Sequence, residues 1–277
     1  MKDCAQLVPG LVSLLLLTSI PTKGHAHINV SPSLTVPSAP ALQAQRRRRS
    51  LSWRVGVRPS LPRIGGFSRS INSCTDQTQI TAFVPPPRSD EKIDEKHGAV
   101  DTTLSSHPTF WVHLASVPAG TQMQFTLQDE VGKKQLYSSR FESKEPTGIL
   151  GIRLPTTAPA LKVGKRYVWQ MAIVCDPNDR SSDRGVLGSW IQRLDPAQIK
   201  PTQGFNPKPL VQALARASKQ DQPALYADLG IWQDAVTTLI DLQLKQPKNQ
   251  ELKADWRSLL TGAQMDEFIN APFLGVK

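Results

Sequence analysis

Polar and apolar residues alternate along the middle of the chain, from about residue 74 to residue 195. In the stretch 122–128, Met123, Phe125 and Leu127 share one face, and the stretch 166–175 alternates in the same way. A period of two is typical of β-strands with one buried face. Shorter segments of this kind complete the set of predicted strands: 79–84, 109–115, 134–141, 148–154 and 186–193.

Turn residues separate these segments, for example in the stretches 117–120 and 163–165. Several short strands with regular turns are typical of all-β domains. We therefore expect a mainly β domain over residues 72–196, built as an antiparallel β-sandwich with immunoglobulin-like architecture.

From about residue 205 the period becomes helical. Apolar residues in the stretch 231–246 recur at helical spacing until Pro247, while Asp221 and Asn249 are predicted helix caps. The following residues have the spacing of one tetratricopeptide-like unit: Tyr226, Gly230, Trp232, Ala235, Leu239 and Pro247. One such unit cannot bury its apolar face alone, so region 205–272 is predicted to be a helical hairpin packed on the sandwich.

The N-terminus has the composition of an export signal. Residues 7–20 are apolar but too few to span a bilayer, and the small residues Gly24 and Ala26 lie third from last and last before the predicted cleavage. We expect a signal peptide over residues 1–26 and an exported protein of the periplasm or cell envelope. No later stretch has the length of a transmembrane helix.

The net charge of +10 is concentrated after the predicted cleavage site. Residues 27–71 are rich in Pro, Ser, Ala and Arg, which predicts a disordered tether. Since residues 76–277 are close to neutral, the charge argues against nucleic-acid binding. Two interpretations, a solvated charge block or peripheral contact with an anionic membrane surface, remain open for one run of arginines: Arg46, Arg47, Arg48 and Arg49.

Two cysteines, Cys74 and Cys175, remain after the predicted cleavage. An even pair in an exported protein predicts one disulfide bond. Two buried thiols are the alternative for a protein that is not exported.

An acidic turn follows Cys175 and offers oxygen atoms that could bind calcium: Asp176, Asn178, Asp179 and Asp183. It has neither the glycine nor the closing glutamate of a calcium loop. Asp and Asn side chains commonly bond their own backbone in turns, which favours a structural turn.

A second candidate lies at residues 107–113. Alternation points Phe110 toward the core and places Trp111 and His113 on the other face. With His107, these residues could form a ligand surface for a sugar or an apolar peptide, or the helical region could cover them. A third arrangement would bind copper through His27 as the new N-terminus.

Several motifs in order resemble the cyanobacterial domain of unknown function 928 family. They lie at residues 80–85, 107–111, 125–130, 154–159, 175–183 and 225–232, and the resemblance covers about residues 60–272. It implies a shared architecture and a cell-envelope setting, and it supplies no mechanism.

No hydrolase elbow, phosphate loop or zinc spacing occurs in the sequence. We therefore expect a non-catalytic binding or interaction module of the bacterial envelope, whose partner is an envelope protein or a polysaccharide. The alternative is a metal-dependent enzyme that acts on polysaccharide.

Overall fold

The computed structural model describes residues 51, 53, 79–86, 100–130, 134–176, 178, 184–199 and 205–277, and only the backbone of residues 184–188. All of these lie within one compact unit, Arg47–Lys277. The predicted signal peptide and most of the tether, including the arginine run, lie outside the described residues. So do these predicted site residues: His27, Cys74, Asp179 and Asp183.

Nine strands fall within the described part of the chain. They are β1 (Gln79–Ala82), β2 (Val100–Thr103), β3 (Thr109–Ala115), β4 (Gln122–Asp129), β5 (Gln135–Glu142), β6 (Gly148–Arg153), β7 (Arg166–Ile173), β8 (Arg184–Arg193) and β9 (Phe273–Val276). A four-stranded sheet has the order β1-β3-β6-β9, and a five-stranded sheet has the order β2-β8-β7-β4-β5. The prediction of a mainly β fold is confirmed.

Both sheets are mixed, so the prediction of purely antiparallel sheets was wrong. Strand β2 runs parallel to β8, and β9 runs parallel to β6. The two strands that make the parallel pairs, β2 and β9, are four residues each and were not predicted. Such short strands show too little alternation to be recognised, and nothing in a local pattern gives the direction of a distant partner.

The central strands follow the predicted alternation because every second side chain faces the core. In β7, the buried residues are Tyr167, Trp169, Met171 and Ile173. The two sheets share this core. The ring of Phe110 on β3 lies 4.9 Å from that of Phe125 on β4 and 5.5 Å from that of Trp169 on β7.

Four helices follow the β region: α1 (Lys208–Leu214), α2 (Gln222–Asp228), α3 (Trp232–Lys245) and α4 (Gln250–Gly262). Asn249 caps α4 as predicted, since its side chain accepts from the backbone N–H groups of Glu251 and Leu252. Asp221 makes no such bond at the start of α2. Its carboxylate instead accepts a hydrogen bond from the Ser218 hydroxyl.

The longest helix, α3, packs on β2 and β3. At its first residue, the Trp232 indole N–H donates to the Phe83 carbonyl oxygen at 2.7 Å. The ring of Trp53 meets Trp232 edge-on at 5.0 Å, and both Leu51 and Trp53 are buried. The tether prediction was therefore wrong for these two residues, since apolar side chains can join a core from a segment with no periodicity.

In the described part of the chain, none of the helices has the length and apolar character needed to cross a membrane.

Candidate ligand-binding site

A polar cavity of about 230 Å³ lies between α3 and strands of both sheets. Strand β2, the loop that follows it, β3 and β6 contribute Thr103, Ser105, His107, Pro108, Thr109 and Arg153. Helix α3 contributes Gln233, Asp234, Thr237, Thr238 and Asp241. The helix residues lie on one face because residues three to four apart share a face of an α-helix.

Asp234 holds the loop after β2 against the helix. Its Oδ2 accepts a hydrogen bond from the Leu104 backbone N–H at 3.1 Å, and the Thr103 hydroxyl also bonds its carboxylate. Part of the residue surface borders the cavity, but protein atoms surround the carboxylate. This burial raises the pKa of Asp234 from 3.8 to about 6, against the opposing effect of its hydrogen bonds.

Gln233 lies beside Asp234 at the wall of the cavity, and it is 1% exposed. Neither its amide nitrogen nor its amide oxygen has a hydrogen-bond partner among the described residues. An unpaired buried polar group costs about 1–3 kcal/mol. Almost none of the surface of these two atoms is accessible, so they are closed off from the cavity as well as from solvent. The unpaired amide is therefore a cost to folding and not a contact for a molecule in the cavity.

Arg153 and Asp241 lie at the open end of the cavity, where their side chains are 49% and 45% exposed. They form an ion pair at 3.6 Å, and the Arg153 Nε donates to the Thr109 hydroxyl oxygen at 3.2 Å. The pair neutralises most of the charge at this end.

His107 is the one predicted site residue that lines the cavity. Its Nε2 lies 3.1 Å from the Ala158 carbonyl oxygen and its Nδ1 lies 3.0 Å from the Ser106 hydroxyl. A carbonyl oxygen only accepts, so Nε2 carries a proton and donates. Both ring nitrogens are therefore engaged within the protein, which leaves neither one ready to bind a metal.

Trp111 and His113 do not form the exposed ligand surface that was one of two interpretations. Trp111 is 1% exposed, and its indole N–H donates to the Thr237 hydroxyl oxygen of α3 at 2.9 Å. The ring of His113 lies 4.7 Å from that of Phe268. Burial lowers the pKa of His113 against the opposing charge of Glu267. The helical region covers this face because an indole and an imidazole are largely apolar surfaces.

The acidic turn is partly within the described residues. Asn178 donates its backbone N–H to the Asp176 Oδ1 at 2.8 Å, which is the local bond expected of a structural turn. No group of three or more potential metal ligands occurs among the residues that the structure describes. Cys175 packs against the core, and its pairing with Cys74 stays a prediction.

The α3 residues of the cavity were missed in the sequence. Only the apolar positions of that helix were used, although Gln233, Thr237 and Asp241 recur every four residues beside them. The sequence did offer one indication of the cavity, namely a row of polar residues at helical spacing beside the row of buried apolar residues of the same helix. This polar row forms a cavity wall only together with the loop after β2, which comes about 130 residues earlier in the chain.

These features define a mainly β protein with two mixed sheets, in which α3 packs on strands of both sheets and leaves a polar cavity. The chain belongs to the family described as Domain of Unknown Function (DUF928), whose model matches residues 64–273. The resemblance noted above is thereby confirmed, and the cyanobacterial origin stays an expectation. A comparison with curated proteins finds no match.

Proposed function

We propose that this chain is a non-catalytic binding module of the bacterial cell envelope. The polar cavity beneath α3 is its binding site. The observation that carries the proposal is the cavity itself, where Ser105 of the loop after β2 converges with Thr237 and Thr238 of α3. A binding module needs such a preformed, concave site with a few convergent polar groups.

The cavity favours binding over catalysis because its charged groups already have structural partners. The Asp234 carboxylate holds the loop after β2, and Asp241 pairs with Arg153. A pKa of about 6 would suit a general acid or base, yet catalysis also needs a nucleophile or a second group in reach. His107 uses both ring nitrogens in the fold.

The envelope setting is proposed from the sequence. Export through a signal peptide cleaved after Ala26 would place Cys74 and Cys175 in an oxidising compartment, whose oxidants would accept the two electrons released when the thiols form a disulfide. We also propose that the two sheets, which share the aromatic contacts of Phe110, form a β-sandwich. The arginine run Arg46–Arg49 would add contact with anionic surfaces, and this contact would weaken with salt.

Export is tested by the intact mass of the protein from its native host, with thiols alkylated before and after reduction. We expect the mass of residues 27–277 and two thiols that appear only on reduction. A full-length mass with freely alkylated thiols would remove the envelope setting.

Binding is tested by co-sedimentation of the purified mature protein with envelope preparations from the same host. Thr238→Val is the test variant, since valine matches threonine in shape and removes a hydroxyl from the cavity wall. Thr157→Val is the matched control, because it makes the same change at an exposed residue outside the cavity.

We expect the wild type and Thr157→Val to sediment with the envelope, and Thr238→Val to sediment less. Equal sedimentation of all three proteins would show that the cavity is not the binding site.

A further inference from the structure

The loop after β2 crosses from one sheet to the other. It covers residues 104–108, between β2 of the five-stranded sheet and β3 of the four-stranded sheet, and it contributes to the wall of the cavity. Within the described part of the chain, every hydrogen bond between this loop and α3 ends on the Asp234 carboxylate. The contact between the loop and the helix therefore depends on one ionisable side chain.

Asp234 lies in the first turn of α3 and bonds three consecutive residues. Its carboxylate accepts from the Leu104 N–H at 3.1 Å, from the Thr103 hydroxyl and from the Ser105 N–H. The Ser105 N–H also donates to the Thr103 hydroxyl oxygen at 3.0 Å. None of these donors is charged, so the buried carboxylate has no cation bonded to it within the described part of the chain.

The other ionisable groups around Asp234 do not supply a cation either. Burial, and then the charge of Asp234, raise the pKa of Tyr226 on α2. Asp101 of β2 is a second buried carboxyl group, on the same face as Thr103. The remaining groups bond each other or backbone carbonyl oxygens: Arg153 of β6 with Asp241 of α3, Arg193 of β8 with Leu104 and Leu161, and His107 with Ala158.

A buried carboxyl group that bonds only neutral donors favours its protonated form. Burial raises the pKa of Asp234 from 3.8 to about 6, even though its hydrogen bonds favour the charged form. Separation of the loop from α3 would admit water and return this pKa toward 3.8. Loss of the proton therefore favours separation, because the charged carboxylate is more stable in water than in its buried position.

We propose that the contact between Asp234 and the loop after β2 is a proton-controlled latch on the cavity. The latch is closed while Asp234 carries its proton. When the proton is lost, the latch opens more often, and the part of the wall that holds Ser105 separates from α3. This inference rests on the proposed function and adds a regulation of access to its binding site.

Amide hydrogen exchange of the full mature protein, followed by NMR between pH 4 and pH 7, measures the opening directly. The N–H groups of Leu104 and Ser105 exchange when their bonds within the latch break. After correction for the intrinsic effect of pH on exchange, their opening constant should rise on the order of fiftyfold over this range. The amides of β4 and β7 report unfolding of the whole domain and should stay better protected at each pH.

Three variants assign the opening to Asp234. In Asp234→Asn, which is neutral throughout this range, the opening constant at Leu104 should not change with pH. Asp266→Asn is the matched control, because it makes the same change at an exposed residue outside the cavity, and it should behave like the wild type. Thr103→Val removes a bond that favours the charged carboxylate, so it should raise the pKa of Asp234 further and shift the opening to higher pH.

The latch is overturned if the opening constant of Leu104 does not depend on pH or if Asp234→Asn keeps the pH dependence. It is also overturned if Leu104 exchanges no faster than the amides of β4 and β7, which would mean that the whole domain opens.

The proposed function can fail separately, since it is tested by sedimentation of Thr238→Val. A pH-dependent opening together with sedimentation that does not depend on Thr238 would confirm the latch and contradict the binding site. Sedimentation that depends on Thr238 without a pH-dependent opening would support the binding site and contradict the latch.

Discussion

The two faces of strand β3 pack against different neighbours. On one face, Phe110 meets the rings of Phe125 and Trp169 from the five-stranded sheet. On the other face, Trp111 bonds Thr237 of helix α3, and Thr109 lines the polar cavity. Strand β3 thus separates an aromatic core between the sheets from a helix–sheet layer that is held by hydrogen bonds.

The buried tryptophans show the same difference. The indole N–H groups of Trp111 and Trp232 donate to Thr237 and to the Phe83 carbonyl oxygen in the helix–sheet layer. That of Trp169, between the sheets, has no partner among the described residues. Burial of apolar area fixes the sheet–sheet contact without requiring exact angles. The helix–sheet layer depends on matched donors and acceptors, so a polar cavity can persist there.

The largest expected effect tests whether these bonds stabilise the helix–sheet layer. Trp232→Phe removes the N–H that bonds the Phe83 carbonyl and shrinks the edge contact with Trp53. We expect a loss of about 3 kcal/mol in the free energy of unfolding. Trp169→Phe, the matched control, breaks no hydrogen bond within the described part of the chain and should cost about 1–2 kcal/mol. Urea unfolding followed by circular dichroism measures the stability of both variants. Equal losses would show that the helix–sheet layer depends no more on hydrogen bonds than the core between the sheets does.

The next effect concerns the pH dependence of the helix–sheet layer. The pKa of Asp234 is raised in the folded state, so its contribution to stability is fully present below pH 3.8 and is lost as the pH rises through about 6. We expect this group to lower the free energy of unfolding by on the order of 2 kcal/mol between pH 4 and pH 7. Asp234→Asn should lack this component.

The difference between the two pH profiles isolates Asp234 from His113. Because burial lowers the pKa of His113, its contribution is present above the ordinary pKa of 6.5 and is lost in the opposite direction, as the pH falls below that value through the lower pKa of the folded state. Urea midpoints measured at several pH values in both proteins provide the comparison. Parallel profiles would show that Asp234 does not titrate as described.

The smallest effect examines the bond between Trp111 and α3. Thr237→Val keeps the shape of the side chain but leaves the buried indole N–H without its acceptor, which we expect to cost about 1 kcal/mol. Thr237→Ser keeps the acceptor and should cost less. A thermal melt of the two variants ranks them, and a valine variant as stable as the serine variant would mean that water replaces the hydroxyl.

Local patterns predicted much of the fold. The bounds of β3 were predicted to the residue, and so were its two faces, because alternation over seven residues is distinctive. The ends of α3 followed from its apolar spacing and Pro247. The buried positions of Leu51 and Trp53 were not predicted, since isolated apolar residues in a Pro- and Arg-rich stretch carry no period.

By itself, the sequence determined the longer strands and helices and which side of most of them is apolar, since these are properties of neighbouring residues. The tertiary structure alone decided that β2 and β9 pair in parallel with β8 and β6. It also decided that the loop after β2 meets Asp234. These contacts join residues far apart in the chain. They form because packing the two sheets and α3 together brings those residues within hydrogen-bonding distance.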